Sequence, residues 1–265
     1  MVKRNKDINR EEMFSKTKEI TNHYENKVIL DNNAICVQAD CMDFLNNLKQ
    51  KNIIVDAIIT DPPYNISKPN NFNTLNRVGI DFGEWDKNFD MTAWINIASY
   101  LVKPGGTMIV FSAWREMGDI ARVLEDNGFI VKTMLRWEKK NPMPRNVNRL
   151  YVSDVEYAIW AIKNGGTWTF NKGNCSYRRP KYESGVVCGK ERLGHPTQKS
   201  INIIKEIIET HTNENDIVLD PFSGSFTTME SSIILKRKFL GCELDEKWIK
   251  VAENRYRLQK EQNKV

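Results

Sequence analysis

Ile53-Ile54-Val55-Asp56-Ala57-Ile58-Ile59-Thr60-Asp61-Pro62-Pro63-Tyr64 is the stretch whose reading sets the fold. Ile53–Thr60 is a short apolar run rich in β-branched residues, the pattern of a strand buried on both faces. Asp61 and two prolines end it abruptly. Ala34–Gln38, Thr107–Phe111, Ile130–Trp137, Val155–Ile162, Ile217–Asp220 and Phe239–Glu243 have the same character. Helical stripes fall between them. Trp94, Ile97, Ala98 and Leu101 share one face, and Pro104-Gly105-Gly106 reads as the stop of that helix. Met117, Ile120, Ala121 and Leu124 form a second stripe, with Gly128 just past its end. Ile201, Ile204, Ile207 and Ile208 form a third. Seven strands alternating with helices predict an α/β fold with a mostly parallel sheet.

The chain has 265 residues, 40% hydrophobic and 28% charged, enough for one core with an insertion. No run approaches the length of a membrane span, and MVKRNKDINREEMF lacks the apolar stretch of a secretory signal, so the expected location is the cytoplasm. Five scattered cysteines without a CxxC pair argue against a disulfide framework. Cys175, Cys188 and His195 could be imagined around a metal, but structural zinc shows close ligand pairs, so no metal is expected. A net charge of +5 is compatible with nucleic acid without demonstrating it. Residues 1–25 and 258–265 read as solvated extensions or short surface helices, leaving 26–265 as one domain. Within it, 65–90 reads as a mobile loop, and 164–194 is too irregular for a sheet element.

Three segments carry chemistry. Thr60-Asp61-Pro62-Pro63-Tyr64 follows a strand, where ligands of open α/β sheets bind. The prolines remove two backbone donors and leave carbonyls free beside a carboxylate and an aromatic ring. That set suits a flat group bearing N–H donors; the plainer alternative is a proline turn with Tyr64 packed in the core. In Val218–Ser225, Asp220-Pro221-Phe222-Ser223-Gly224-Ser225 makes a strand-to-helix turn whose glycine permits close approach of a ligand. Glu243 ends a strand about twenty residues on, where ribose hydroxyls commonly find an acid. Alone, this half fits any nucleoside cofactor. Gly194-His195-Pro196-Thr197-Gln198-Lys199 gathers donors at a helix start: Thr197 and Lys199 could hold a carboxylate, or the segment could be only a capped start.

Together these segments resemble the amino-group DNA methyltransferases of the permuted, beta-group order. Asp61-Pro62-Pro63-Tyr64 comes early, a variable region follows, then His195-Pro196-Thr197-Gln198-Lys199, and Asp220-Pro221-Phe222-Ser223-Gly224 comes late. The likeness runs from about residue 34 to 257. It includes Lys103-Pro104-Gly105-Gly106-Thr107, Asn141-Pro142-Met143-Pro144-Arg145 and Trp85-Asp86. It implies a Rossmann-like S-adenosylmethionine-dependent methyltransferase fold with seven strands and helices on both faces. It also implies S-adenosyl-L-methionine as cofactor, base flipping, and methylation of adenine N6 in a restriction-modification, orphan or phage setting. Asp61, Pro62, Pro63 and Tyr64 would hold the base. Glu243 would take the ribose, Asp40 and Phe222 the adenine, Asp220, Ser223, Gly224 and Ser225 the methionine part, and Thr197, Gln198 and Lys199 the carboxylate or ribose side. Where the family continues with glycine this chain has Phe226, which does not enter positive φ cheaply, so the turn is expected to avoid it.

The implied partners are double-stranded DNA, a second copy of the chain in a homodimer, and a cognate restriction endonuclease. In 163–199, eight Lys and Arg side chains stand against Glu183 and Glu191, with Tyr177 and Tyr182 on either side of Arg178-Arg179. Lys172, Arg178, Arg179 and Lys181 are therefore expected on DNA, with the region 163–194 as target reader, and Lys139, Lys140, Arg145 and Arg149 extending the footprint. The alternatives are transfer to cytosine N4, a DNA-binding protein with an impaired cofactor site, and a nicotinamide oxidoreductase. The last is disfavoured because no GxGxxG is present.

Overall fold

In the computed structural model, which describes residues 9–30, 33–64, 89–142, 144, 147–194 and 197–262, Thr60 ends a central strand of a nine-stranded sheet. The strands are β1 Lys27–Leu30, β2 Ala34–Gln38, β3 Val55–Thr60, β4 Val102–Ser112, β5 Phe129–Lys139, β6 Val155–Lys163, β7 Lys181–Ser184, β8 Ile217–Asp220 and β9 Lys238–Glu243. Their order is β1-β2-β9-β8-β3-β4-β6-β5-β7. The block from β2 to β4 is parallel throughout. β1 and β6 are antiparallel to their neighbours in that block, β5 is antiparallel to β6, and β7 lies parallel to β5.

Alternation along the buried strands makes two apolar faces. Ile35, Val37, Ile58, Leu219 and Leu240 meet Phe44, Trp94 and Ile120 of helices α2 (Cys41–Gln50), α3 (Ala93–Ala98) and α4 (Met117–Asp126). On the other face Ala57, Ile59 and Val218 meet Ile204, Ile207 and Ile208 of α5 (Ile201–His211). Ala34, Cys36 and Phe239 meet Met229 and Trp248 of α6 (Thr227–Ile234) and α7 (Glu246–Gln262). Each such large side chain contributes roughly 1.5–3 kcal/mol by leaving water.

All seven expected strands are present, and two more join them. β1 and β7 have only four residues each, too short for alternation to stand out. In β7 the charged Lys181 and Glu183 pair with each other on one side while Tyr182 is buried on the other, so part of the supposedly irregular region is sheet. Pro104-Gly105-Gly106 does not end a helix; it lies in β4 at a register shift against β3. A Cβ on Gly105, at φ +76°, would lie 2.3 Å from the Thr167 carbonyl oxygen, so only glycine fits that crossing. Gly128 does sit past α4 with φ +77°, as the pattern predicts.

The N-terminal segment is also more than a solvated extension. Helix α1 (Arg10–Ile20) buries Phe14 and Ile20 in the cluster beneath α2–α4. Arg10 donates to both oxygens of Asp56, at 2.9 and 2.7 Å, and lies 2.7 Å from Asp216. It thereby fastens α1 to the amino ends of β3 and β8. Met13, Phe14 and Ile20 are the only apolar side chains of an otherwise polar helix and leave little amphipathic signal. The supposed mobile loop falls, from 65 to 88, outside the described residues, and so does the Trp85-Asp86 pair.

Phe226 contradicts the expectation for its turn. Its φ is +60° and ψ +32°, at the cap of α6, and its side chain is fully buried, edge-on to Phe239 at 6.5 Å. The ring is part of the core, and its burial offsets the left-handed backbone, which costs roughly 1–2 kcal/mol. Phe226→Ala, which keeps that strain and loses the ring, should cost about 3–5 kcal/mol, and Phe226→Gly about 1 kcal/mol less. Thermal unfolding should rank wild type above the glycine variant and the glycine variant above alanine; a glycine variant as stable as wild type would show that the ring contributes nothing.

Candidate active site

Because β3 and β8 are paired in parallel, the loops that follow them leave the same edge of the sheet side by side. The Thr60 hydroxyl donates to Asp220 Oδ1 at 2.6 Å and ties the two loops at their roots. The Phe222 amide donates to the same oxygen at 3.1 Å. Burial pushes the Asp220 carboxyl up to about 6 against these bonds.

In the first loop the Tyr64 hydroxyl donates to Asp61 Oδ1. The ammonium of Lys199 donates to Asp61 Oδ2 at 2.5 Å and to the Tyr64 hydroxyl at 3.2 Å, and lies 3.0 Å from Glu156 Oε2. Burial raises the Asp61 carboxyl above the usual range, Lys199 pulls it back and Glu156 adds to the rise. Burial alone would lower the Lys199 ammonium, but Asp61 and Glu156 outweigh it and hold the charge in place.

The second loop is built around Glu243. Its Oε2 accepts from the Gly224 amide at 2.8 Å and its Oε1 from the Asp245 amide at 3.0 Å. Burial still holds this carboxyl above its usual range. Gly241 allows the loop this close to β9, since a Cβ there would lie 2.4 Å from Ser223 Oγ. The Phe222 ring is held edge-on by Phe89 and Trp94, at 5.4 and 5.3 Å. Asp40 caps α2, accepting from the Met42 amide at 2.8 Å, and faces the same space.

Between the loops lies a cavity of about 550 Å³, within the range of small-molecule sites. Asp40, Asp61–Tyr64, Thr197–Lys199, Asp220, Phe222–Ser225 and Glu243, every base- and cofactor-contact residue read from the sequence, line it. The motif's roles are not uniform, however. Lys199 is engaged with the Asp61–Tyr64 loop. Gln198 braces its own segment, accepting from the Leu193 amide at 2.9 Å and donating to the Glu191 carbonyl at 2.6 Å. His195 and Pro196 lie outside the described residues. Glu156, Asp245 and Trp248 were not read from the sequence. Glu156 had one usable signal, a carboxylate near the start of an otherwise apolar strand.

The expected DNA contacts are dispersed. Asn171 caps the end of α5, donating to the Glu209 and Thr212 carbonyls, which places Lys172 at the sheet edge opposite the cavity. Arg178 is paired with Glu206 of α5 at 2.9 Å, and Lys181 with Glu138 and Glu183 at 2.8 and 3.0 Å. Lys139 is paired with Glu156 at 2.6 Å. Arg179 and Lys140 are exposed, and Arg145 lies outside the described residues. Beyond the ends of β4 and β5, past the same end of the sheet as the cavity, Trp114, Arg115, Arg149, Leu150 and Tyr151 are exposed. Cys175 and Cys188 are exposed, with no cluster of metal-ligating side chains among the described residues.

A family model described as DNA methylase, covering N6 and N4 methyltransferases, matches residues 55–254. The chain belongs to this family. It is 32% identical over 243 residues to the Type II methyltransferase M2.LlaDCHI of Lactococcus lactis subsp. cremoris, covering 84% of this chain and 89% of the relative. It is 30% identical over 274 residues to M2.DpnII of Streptococcus pneumoniae, covering 92% and 96%. Among solved structures, the M1.HpyAVI–SAM complex superposes with a TM-score of 0.70 at 42% identity, covering 83% of this chain and 97% of that one. The PvuII cytosine-N4-specific DNA methyltransferase shares the fold, at a TM-score of 0.64 and 16% identity.

The chain is thus an S-adenosylmethionine-dependent DNA methyltransferase, and its cavity suits that cofactor. Five carboxylates line it, Asp40, Asp61, Asp220, Glu243 and Asp245, against the single ammonium of Lys199, which Asp61 and Glu156 already neutralise. The excess negative charge complements a ligand carrying a sulfonium and an ammonium, while Pro221, Phe222 and Trp248 supply apolar wall.

A folded-state carboxyl raised to about 6 is a stability penalty that grows as pH rises from about 4 to 6, because the unfolded chain ionises first. Asp220→Asn removes the penalty. The difference in melting temperature, variant minus wild type, should rise by several degrees across that interval and then stay flat; a difference independent of pH would refute this reading of Asp220.

Proposed function

We propose that this chain methylates N6 of adenine in double-stranded DNA at a specific site, after flipping the base out of the helix. The carrying observation is that Asp61, Pro62 and Tyr64 share one cavity with Glu243 and the loop at Gly224. The cofactor, when bound, supplies an electrophilic methyl group. The Asp61 carboxylate and the Pro62 carbonyl accept the two N–H bonds of the exocyclic amine and turn its lone pair toward that methyl. Tyr64 stacks on the extruded base and offsets part of the unstacking, which costs roughly a few kcal/mol. Glu243 takes the ribose hydroxyls, Asp40 and Phe222 the adenine end. Catalysis is positioning and electrostatics, with no covalent enzyme intermediate. Asp rather than Ser at the first place of the motif favours adenine over cytosine. The Type II relatives favour a restriction-modification setting with a cognate endonuclease, a cytoplasmic location and a homodimer belonging to the same reading.

The catalytic assignment is tested by digesting DNA after reaction. N6-methyldeoxyadenosine is the expected product, lost by about 10²–10³-fold or more in Asp61→Ala with cofactor affinity within a few-fold of wild type. Glu243→Ala should instead weaken cofactor binding first, by about tenfold or more. N4-methyldeoxycytidine, or near-normal turnover of the Asp61 variant, would overturn the assignment.

On the same reading DNA lies across the cavity edge, met by Lys140 and Arg149 beside the exposed Trp114, Arg115 and Tyr151. Arg178 and Lys181 serve mainly to hold β7 and α5. Lys140→Ala with Arg149→Ala should weaken binding to all duplexes and lower the salt slope by about two units. Lys172→Ala with Arg179→Ala should leave both unchanged. The reverse pattern across a salt series would move the interface to the opposite edge.

A further inference from the structure

Glu156 stands at the cavity end of β6, ahead of the buried run Ala158–Ile162. Its Oε1 lies 2.6 Å from the Lys139 ammonium and its Oε2 3.0 Å from that of Lys199, which in turn lies 2.5 Å from Asp61. Four charges of alternating sign therefore run in a row from the end of β5 to the base-binding carboxylate. Lys199 is only 8% exposed at its side chain. Its ammonium donates to Asp61 and to the Tyr64 hydroxyl, lies within ion-pair distance of Glu156, and sits 5.3 Å from the centre of the Phe111 ring.

This arrangement resolves a conflict in the reaction. A half-buried Asp61, its carboxyl raised by desolvation, is kept ionised by a neighbouring cation. A cation given wholly to Asp61 would weaken it as an acceptor and repel the positive charge that grows on the amine during transfer. Dividing the ammonium between two carboxylates answers both needs. Each Asp61 oxygen has two lone pairs; Tyr64 uses one on Oδ1 and Lys199 one on Oδ2, so both oxygens keep one for an incoming amine.

We propose, building on the role of Asp61 above, that Lys199 and Glu156 are positioning residues for methyl transfer: Lys199 keeps Asp61 ionised and aimed, and Glu156 shares Lys199 so that Asp61 remains a strong acceptor. Neither touches the methyl group, and no bond to either is made or broken. On this proposal Lys199 leaves the cofactor carboxylate to other groups.

The test is the pH profile of single-turnover methylation in Glu156→Gln, Lys199→Met and Lys199→Arg, with cofactor affinity and melting temperature measured on each. The charged and titratable groups facing Asp61 are Tyr64 from its own loop, Lys199 from the segment before α5, Glu156 from β6 and Asp220 from β8. Asp220 is common to every variant and cancels in the comparison. Glu156→Gln should move the acid limb to lower pH by about half a unit or more and cut the plateau rate about tenfold, with cofactor affinity within twofold. Lys199→Met should move the limb the other way, and Lys199→Arg should return it toward wild type. Shifts in the same direction, unmoved limbs, or rate losses that only track lower melting temperature would overturn the proposal. Asp61→Asn, run alongside, separates the two readings. If it turns over like wild type, the Asp61 role falls; if it is inactive while the limbs of the other variants stay put, only the present proposal falls.

Discussion

The parallel pairing of β3 with β8 is the constraint on which the rest of the molecule depends. It sets the carboxyl ends of a strand from the early half of the chain and one from the late half side by side. The Thr60–Asp220 hydrogen bond then fixes the loop that would hold a base against the loop that would hold the cofactor. At the other end of the same two strands Arg10 bridges Asp56 and Asp216, so both ends of the pair are clamped by polar contacts. Apolar burial on both faces holds the strands, but it cannot specify which loops meet; these directional contacts do.

Charge governs the space between the loops. Carboxylates outnumber cations around the cavity, and burial raises Asp61, Asp220 and Glu243 together. Such crowding destabilises the empty protein and is relieved by a cationic ligand, so stability yielded at Asp220 returns as affinity. Glu243 illustrates the balance. It already accepts two backbone amides, which shape the glycine turn, and its remaining lone pairs are available to a diol.

Much of this was legible in the sequence because it rests on local signals. Buried strands announce themselves as β-branched runs, and Asp61-Pro62-Pro63-Tyr64 and Asp220–Ser225 can be assigned to strand ends from their immediate neighbours. What escaped depends on tertiary partners. Lys181, Glu183 and Tyr182 form a strand only because β5 lies alongside. The pairing of Arg178 with Glu206 of α5 is likewise invisible in the sequence. Phe226 adopts a left-handed backbone because the pocket around Phe239 rewards its ring. Glu156 is far in sequence from both lysines it joins, Lys139 by a hairpin and Lys199 by an insertion, so no spacing rule could connect them.

The account's central claim is that the two loops act as one site because their roots are tied. Thr60→Val keeps the shape of the strand and removes only the hydroxyl that joins them. Calorimetric titration of this variant with S-adenosylmethionine is the most direct test. The account predicts affinity lower by about tenfold, roughly 1.4 kcal/mol, beyond any loss of stability from the missing bond to a charged acceptor, which is itself roughly 1.5–3 kcal/mol and is read separately from the melting temperature. Wild-type affinity in the variant would contradict it and show that the loops are positioned independently.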